Sequence, residues 1–249
     1  MNLIILAKSP VPGVSKTRLC PPCTPAQAAA IAEAALADTL SAALRVPGVR
    51  PVLVLEGRAG PWLPPGIAVI SQRGAGLDQR LAAAFDDCGG PALLIGMDTP
   101  QVTPALLRGC VDALMAPGID AVLGRATDGG WWAGGLRRPD ATAFLGIPTS
   151  LPTTGALQRR RLAGLGLTVS DLPVLSDVDV WSDALSLAEA GVPSGVGKKA
   201  GVPSGVGKKA GVPSGVGKKA GVPAGVGMQA AGGRFARAVE AVAGTLVSP

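Results

Sequence analysis

Residues 2–19 read NLIILAKSPVPGVSKTRL, and this stretch decides the fold. Asn2–Ala7 is a short apolar run without helical period, as expected of a strand covered on both faces. It leads directly into a turn stiffened by Pro10 and Pro12 and opened by Gly13. Lys8, Lys16 and Arg18 place three cations around that turn. Phosphate groups need this kind of surround: exposed N–H groups, point-charge ammonium groups and a forked guanidinium. A Walker loop is absent, because the GxxxxGK spacing is missing. The plain alternative is a solvated basic turn.

Similar runs recur along the chain. Pro51–Leu55, Ile67–Ser71, Ala92–Gly96, Asp120–Gly124 and Leu167–Ser170 read as further strands. Helix signals fall between them. Thr24-Pro25-Ala26-Gln27 supplies an N-cap, a proline at the first helical position and a capping-box glutamine ahead of an Ala-rich run to about Leu44. Thr103-Pro104 opens a second helix through about Met115, and Leu77–Asp87 a third; Trp181–Ala190 and Arg234–Thr245 also read as helical. Strand–helix alternation predicts a three-layer α/β/α domain with a mostly parallel sheet and its ligands at the C-terminal strand ends.

Part of the 249-residue chain departs from this pattern: GVPSGVGKKA occupies 191–200, 201–210 and 211–220, and GVPAGVGMQA closes the series at 230. Rich in glycine and offering only small apolar side chains, the repeat reads as a flexible surface insertion at 191–230. The transferase-like domain is then 1–190 plus 231–249. The repeats hold six lysines and no acid, which leaves 17 basic against 17 acidic residues elsewhere. The net charge of +6 therefore belongs to the repeat. Specific nucleic-acid binding by the domain is not expected, while the lysine arm could attract an acidic partner weakly. There is no histidine, which excludes His-based nucleophile systems and His-ligated zinc. Cys20-Pro-Pro-Cys23 has no second pair to complete a zinc site, so the four thiols read as reduced and incidental. With neither a secretory leader pattern nor a long apolar run, the expected protein is cytoplasmic, without a membrane span.

The basic turn resembles the start of the GT-A-like nucleotide-diphospho-sugar transferase superfamily. Specifically, it is similar to a bacterial family of glycosyltransferase-like proteins related to phospholactate guanylyltransferase and molybdenum-cofactor guanylyltransferase. The pattern K-x-P-x-P-G-x-x-K-T-R-L is matched at Lys8, Pro10, Pro12, Gly13, Lys16, Thr17, Arg18 and Leu19. Gly76–Leu81 (GLDQRL), Ile95–Pro100 (IGMDTP), Thr127–Trp132 (TDGGWW) and Asp177–Asp179 (DVD) match later motifs in the same order. The likeness spans about 2–190 and resumes at 233–246. Trp131 stands where the family usually has Tyr, and the repeat splits a region the family crosses with a short loop.

The resemblance implies a GT-A-like fold and a nucleotide-dependent transferase. It puts a nucleotide or nucleotide-sugar on Lys8, Gly13, Lys16, Thr17, Arg18 and Arg80, with Lys16, Arg18 and Asp98 catalytic. Asp98 ends an apolar strand, and with Asp177 or Asp179 its carboxylate could hold Mg²⁺ or Mn²⁺, hard ions suited to oxygen ligands and phosphates. Helix capping is the structural alternative for each of these aspartates. Asp128, Gly129, Gly130, Trp131 and Trp132 are expected around the second, small-molecule substrate, the glycines allowing close approach and the indoles stacking. Nucleotidyl transfer is slightly favoured, because Lys16 and Arg18 can neutralise charge at the α-phosphate as pyrophosphate leaves. Glycosyl transfer is the alternative, and a non-catalytic nucleotide-binding scaffold the further one.

Overall fold

The computed structural model describes residues 1–190 and 233–247; the repeat at 191–230 lies outside the described residues. Strands are β1 (Asn2–Lys8), β2 (Arg50–Glu56), β3 (Ala68–Ser71), β4 (Ala92–Gly96), β5 (Ala121–Ala126), β6 (Trp131–Leu136) and β7 (Val169–Leu175). Helices are α1 (Pro25–Leu44), α2 (Leu77–Cys88), α3 (Pro104–Met115), α4 (Thr154–Gly164), α5 (Trp181–Ala190) and α6 (Arg234–Val247). They form a seven-stranded sheet in the order β3-β2-β1-β4-β6-β5-β7. Each pairing is parallel except those of β6, which runs antiparallel to both β4 and β5.

The two-sided character of β1 is visible in its packing. Leu3, Ile5 and Ala7 face a cluster built with α1 and α3, whereas Ile4 faces one built with α2 and α4. That is why the strand reads as continuously apolar rather than alternating. A third cluster joins α1 to α5 and α6 through Ile31, Ala35, Ala184, Ala188, Phe235 and Val239. Asp38 on α1 fixes the start of α6 by accepting from the Arg234 and Phe235 amides at 3.1 and 2.9 Å. The capping box of α1 forms as its sequence predicts, Thr24 and Gln27 each accepting from the other's backbone N–H.

Three elements depart from expectation, the first being β7, which runs Val169–Leu175 where the sequence suggests a strand at Leu167–Ser170. β6 falls on Trp-Trp-Ala-Gly-Gly-Leu, where no strand is expected from the sequence and only Trp131 and Trp132 are expected near substrate. Its glycines are needed by packing: a Cβ at Gly135 would come within 2.7 Å of Val122, and one at Gly134 within 3.1 Å of the Trp131 ring. α4 opens within a Ser/Thr/Pro-rich segment and continues through Arg159-Arg160-Arg161, where the apolar positions are too few for a clear helical stripe. All four cysteines are free, and burial pushes the Cys110 thiol up to about 12. No helix among the described residues is long and apolar enough to cross a membrane.

Candidate active site

Strand order reverses between β1 and β4, and the chain leaves both at the same edge of the sheet. At that edge lies an open cleft of about 690 Å³, bounded by the β1 turn, the start of α2, the end of β4, the start of β6 and the segment before α4. Its described lining carries three cations, Lys8, Lys16 and Arg80, and three carboxylates, Asp98, Asp128 and Asp177.

Lys16 is the most buried of these three cations. Its backbone adopts the left-handed conformation (φ 50°, ψ 40°), which costs a non-glycine residue energy and is sustained only by its surroundings. The side chain is 11% exposed. Its Nζ pairs with the Asp98 carboxylate and donates to the Val178 carbonyl. The Val178 amide in turn donates to the Asp98 carbonyl at 2.9 Å. This stitching brings the turn after β1, the end of β4 and the Asp177–Asp179 segment together across 162 residues of sequence.

Asp177 is the unusual group in this cluster. Its Oδ1 is buried without a hydrogen-bond partner. Burial, and after it the facing carboxylates of Asp98, Asp128 and Asp179, raise its pKa from 3.8 to about 7, against the opposing pull of Lys16. Thr99 Oγ1 and Gln101 Oε1 are likewise buried and unpartnered, and the Gln101 amide donates to the Ser176 carbonyl at 2.6 Å. Buried polar atoms normally find partners, so a group of orphans at one strand end marks a place for an oxygen-seeking ligand. A hard divalent cation fits that donor set. Among the described residues, however, no three Asp, Glu, Cys or His side chains converge as a ready-made cage. Asp98 and Asp177 could hold such an ion only with further oxygens supplied by substrate.

The other expected residues separate into distinct positions. Lys8 lines the cleft and pairs with Glu56 at 3.3 Å. Arg80 shares that carboxylate at 2.5 Å and donates to the Gly74 carbonyl at 3.2 Å. Burial opposes the ionisation of Glu56, but Arg80 and Lys8 together hold its pKa below the usual carboxylate value. Arg18 reaches Asp179 at 3.4 Å, and its side chain is 73% exposed. Gly13, Thr17, Arg18, Gly129 and Asp179 are not part of the cleft lining. Gly13 has φ +78° with open space where a Cβ would stand.

The TDGGWW motif behaves differently from expectation at two positions. Gly129, at φ +92°, is needed because a Cβ there would overlap the Pro152 carbonyl; it admits the chain's own backbone rather than a ligand. Trp132 is 2% exposed and donates from its ring nitrogen to the Pro173 carbonyl at 2.9 Å, so its indole is structural. Trp131, Asp128 and Gly130 line the cleft, as does the buried Trp132, and the Gly130 amide donates to Asp128 Oδ1 at 2.8 Å. The sequence gives no sign of Gln72 and the 149–154 wall in the cleft lining, nor of Glu56 as the partner of Lys8 and Arg80. Only the Ser/Thr/Pro density of that last segment signalled a shaped loop, and Ser150 indeed sits at φ +61°.

A family model described as "Uncharacterized protein conserved in bacteria (DUF2064)" matches residues 30–151. No curated protein matches. A solved structure from Desulfovibrio desulfuricans G20, provisionally described as a nucleotide-diphospho-sugar transferase, is 26% identical at a TM-score of 0.69, covering 78% of this chain and 88% of that one. The fold is thus that of the GT-A-like nucleotide-diphospho-sugar transferases. CMP:2-keto-3-deoxy-manno-octonic acid synthetase complexed with CTP is 13% identical at a TM-score of 0.49, covering 74% and 95% of the two chains. A Mycobacterium tuberculosis H37Rv protein in complex with manganese is 23% identical at a TM-score of 0.39, covering 74% and 95%. These last two are distant likenesses and carry nothing about ligands to this chain.

Proposed function

We propose that the cleft is the active site of a nucleotide-dependent transferase that joins a metal-bound nucleotide to a small-molecule acceptor, by nucleotidyl transfer. The observation that carries this reading is the unpartnered, buried Asp177 Oδ1 beside Asp98, with the Lys16 ammonium held against the same cluster.

Asp98 and Asp177 would hold Mg²⁺ or Mn²⁺. Such an ion, when bound, supplies charge neutralisation at the phosphate oxygens and the leaving group. Asp179, tied to exposed Arg18, takes at most an outer place, and Asp128 faces the cleft in its stead. Lys16, held by Asp98 and the Val178 carbonyl, would exchange its Asp98 contact for a phosphate oxygen as the metal engages that carboxylate. Arg18, exposed at the rim, can swing onto the outer phosphates. In nucleotidyl transfer an acceptor oxygen attacks the α-phosphorus. A P–O bond forms as the bond to the bridging oxygen breaks, and pyrophosphate leaves with its charge balanced by these cations. Lys8 and Arg80, both engaged by Glu56, shape the floor near α2 rather than offering unengaged charge.

Glycosyl transfer from a nucleotide-sugar is the second reading, favoured by likeness to the Desulfovibrio protein. The experiment is a thermal-shift panel of nucleoside triphosphates and nucleotide-sugars with and without Mg²⁺ or Mn²⁺, where a ligand raises the midpoint by mass action. Product analysis then separates the readings: pyrophosphate marks nucleotidyl transfer, and a nucleoside diphosphate from a nucleotide-sugar marks glycosyl transfer. Metal-independent behaviour throughout would remove the role given to Asp98 and Asp177.

A further inference from the structure

We propose that the second substrate is an uncharged hydroxyl compound, a sugar or polyol without phosphate or carboxylate, seated on the wall made by Asp128, Trp131, Thr149, Ser150 and Leu151. The inference rests on the active-site reading above and adds the chemical class of the acceptor.

Charge is distributed unevenly across the cleft. Among the described lining residues, Lys8, Lys16 and Arg80 all belong to the side formed by β1 and α2, whereas the wall from Asp128 to Thr154 carries a single charge, the Asp128 carboxylate. Behind it stand the Asp98 and Asp177 carboxylates, which line the same cleft. An anionic group on this wall would meet the Asp128 carboxylate, and the wall has no cation of its own to offset it; Lys16 is already paired with Asp98.

The start of α4 does not supply the missing positive end. Helix N-termini receive anions through N–H groups that point outward. Here the Thr154 amide donates to the Leu151 carbonyl at 3.0 Å, and the Gly155 amide donates to the Gly129 carbonyl at 2.9 Å. The Thr154 hydroxyl accepts from the Leu151 amide and donates to the Pro148 carbonyl, at 3.1 and 3.0 Å. Of the α4 guanidinium groups, Arg159 is held on Asp171 at 3.0 Å and Arg161 on the Thr142 and Leu145 carbonyls at 2.7 and 2.9 Å, while Arg160 is exposed and outside the cleft lining.

What the wall does offer suits a polyol. Trp131 is half-buried, and its ring is fixed over Gly134 and against Phe144, with centroids 6.1 Å apart; Phe144 in turn stacks on Phe85 at 4.7 Å. A rigid aromatic face matches the C–H face of a sugar ring and needs no ordering on binding. An ionised carboxylate only accepts hydrogen bonds, so Asp128 calls for donors, and hydroxyl groups provide them where a phosphate dianion does not. The hydroxyls of Thr149 and Ser150 can both donate and accept, and Leu151, 48% exposed, covers an apolar flank.

The test follows the Trp131 indole N–H resonance of the full chain, identified with Trp131→Phe. It is run with Mg²⁺ and the nucleotide giving the largest thermal shift, and again without nucleotide. Probes come in pairs that differ by one phosphate: methyl α-D-glucopyranoside against glucose 6-phosphate, and glycerol against glycerol 3-phosphate, with choline as a cationic arm. The neutral member of each pair should shift the resonance with at least tenfold tighter binding, and Asp128→Asn should narrow the gap. Equal or tighter binding of a phosphate ester or of choline overturns the proposal, as does a Trp131 signal that no probe moves. Absence of any nucleotide-induced thermal shift would instead overturn the active-site reading, while the nucleotide-free titration still reports on the wall.

Discussion

Asp177→Asn should make the metal-free protein more stable at pH 8 while removing its response to divalent ions. Burial and three facing carboxylates raise the pKa of Asp177 from 3.8 to about 7. That displacement of about three units corresponds to about 4 kcal/mol when multiplied out. Because the group keeps some contact with solvent, about 2 kcal/mol is the realistic magnitude. The folded state therefore holds a proton more tightly than the unfolded chain. Stability from this group is fully present below about pH 4, declines as pH rises, and is gone above about pH 7. Asparagine keeps the shape and removes the titration. In EDTA, the variant's melting midpoint should exceed that of the wild type by about 4–8 °C at pH 8, for about 2 kcal/mol in a domain of this size. The gap should close by pH 4. Mn²⁺ should raise the wild-type midpoint and leave that of the variant unmoved. A variant that melts lower at pH 8, or a gap that does not vary with pH, would show that the carboxylate is not electrostatically crowded and would refute the reasoning.

Lys16→Met should act with opposite sign on two ligands. Freed of its ammonium partner, Asp98 should bind Mn²⁺ alone about tenfold more tightly, whereas calorimetry should show the metal–nucleotide complex weakened by about 1.5–3 kcal/mol, one charge-assisted contact. Gly129→Ala combines φ +92° with overlap on the Pro152 carbonyl and should cost at least about 2 kcal/mol in urea unfolding, while Gly13→Ala, at φ +78° in open space, should cost about 1 kcal/mol. Replacing residues 191–230 by a short Gly-Ser linker should leave the melting midpoint and turnover unchanged, since α1, α5 and α6 share a core cluster of their own. Retention on heparin, which depends on the six repeat lysines, should fall.

The parallel half of the sheet was legible because β1, β2 and β4 are covered on both faces, and continuous apolar runs have few other uses. α1 and α3 were legible to the residue, since Thr-Pro at each start leaves little choice of first turn. β6 was not, because Gly134 and Gly135 lower strand propensity while serving packing against Trp131, Val122 and Leu114. α4 was missed for the reverse reason: its arginines make bonds to Asp171 and to carbonyls of the preceding segment, which no periodicity announces.

Residue type also says little about the division of labour within the site. Lys8, Lys16, Arg18 and Arg80 look equivalent in sequence as cations near a turn. In the folded chain Glu56 engages Lys8 and Arg80, Asp179 engages Arg18 at the surface, and only Lys16 is buried against the Asp98–Asp177 cluster. The distinction depends on two long-range facts, a left-handed turn at Lys16 and the backbone bond from Val178 to Asp98, neither of which has a local signature. The same holds for the tryptophans. Adjacent residues on a strand point to opposite faces, so Trp132 is buried in the α1/α3 cluster and bonded to Pro173, while half-buried Trp131 packs toward Phe144; both belong to the cleft lining. Strand alternation alone, once β6 is recognised, sends the two indoles to opposite faces of the sheet.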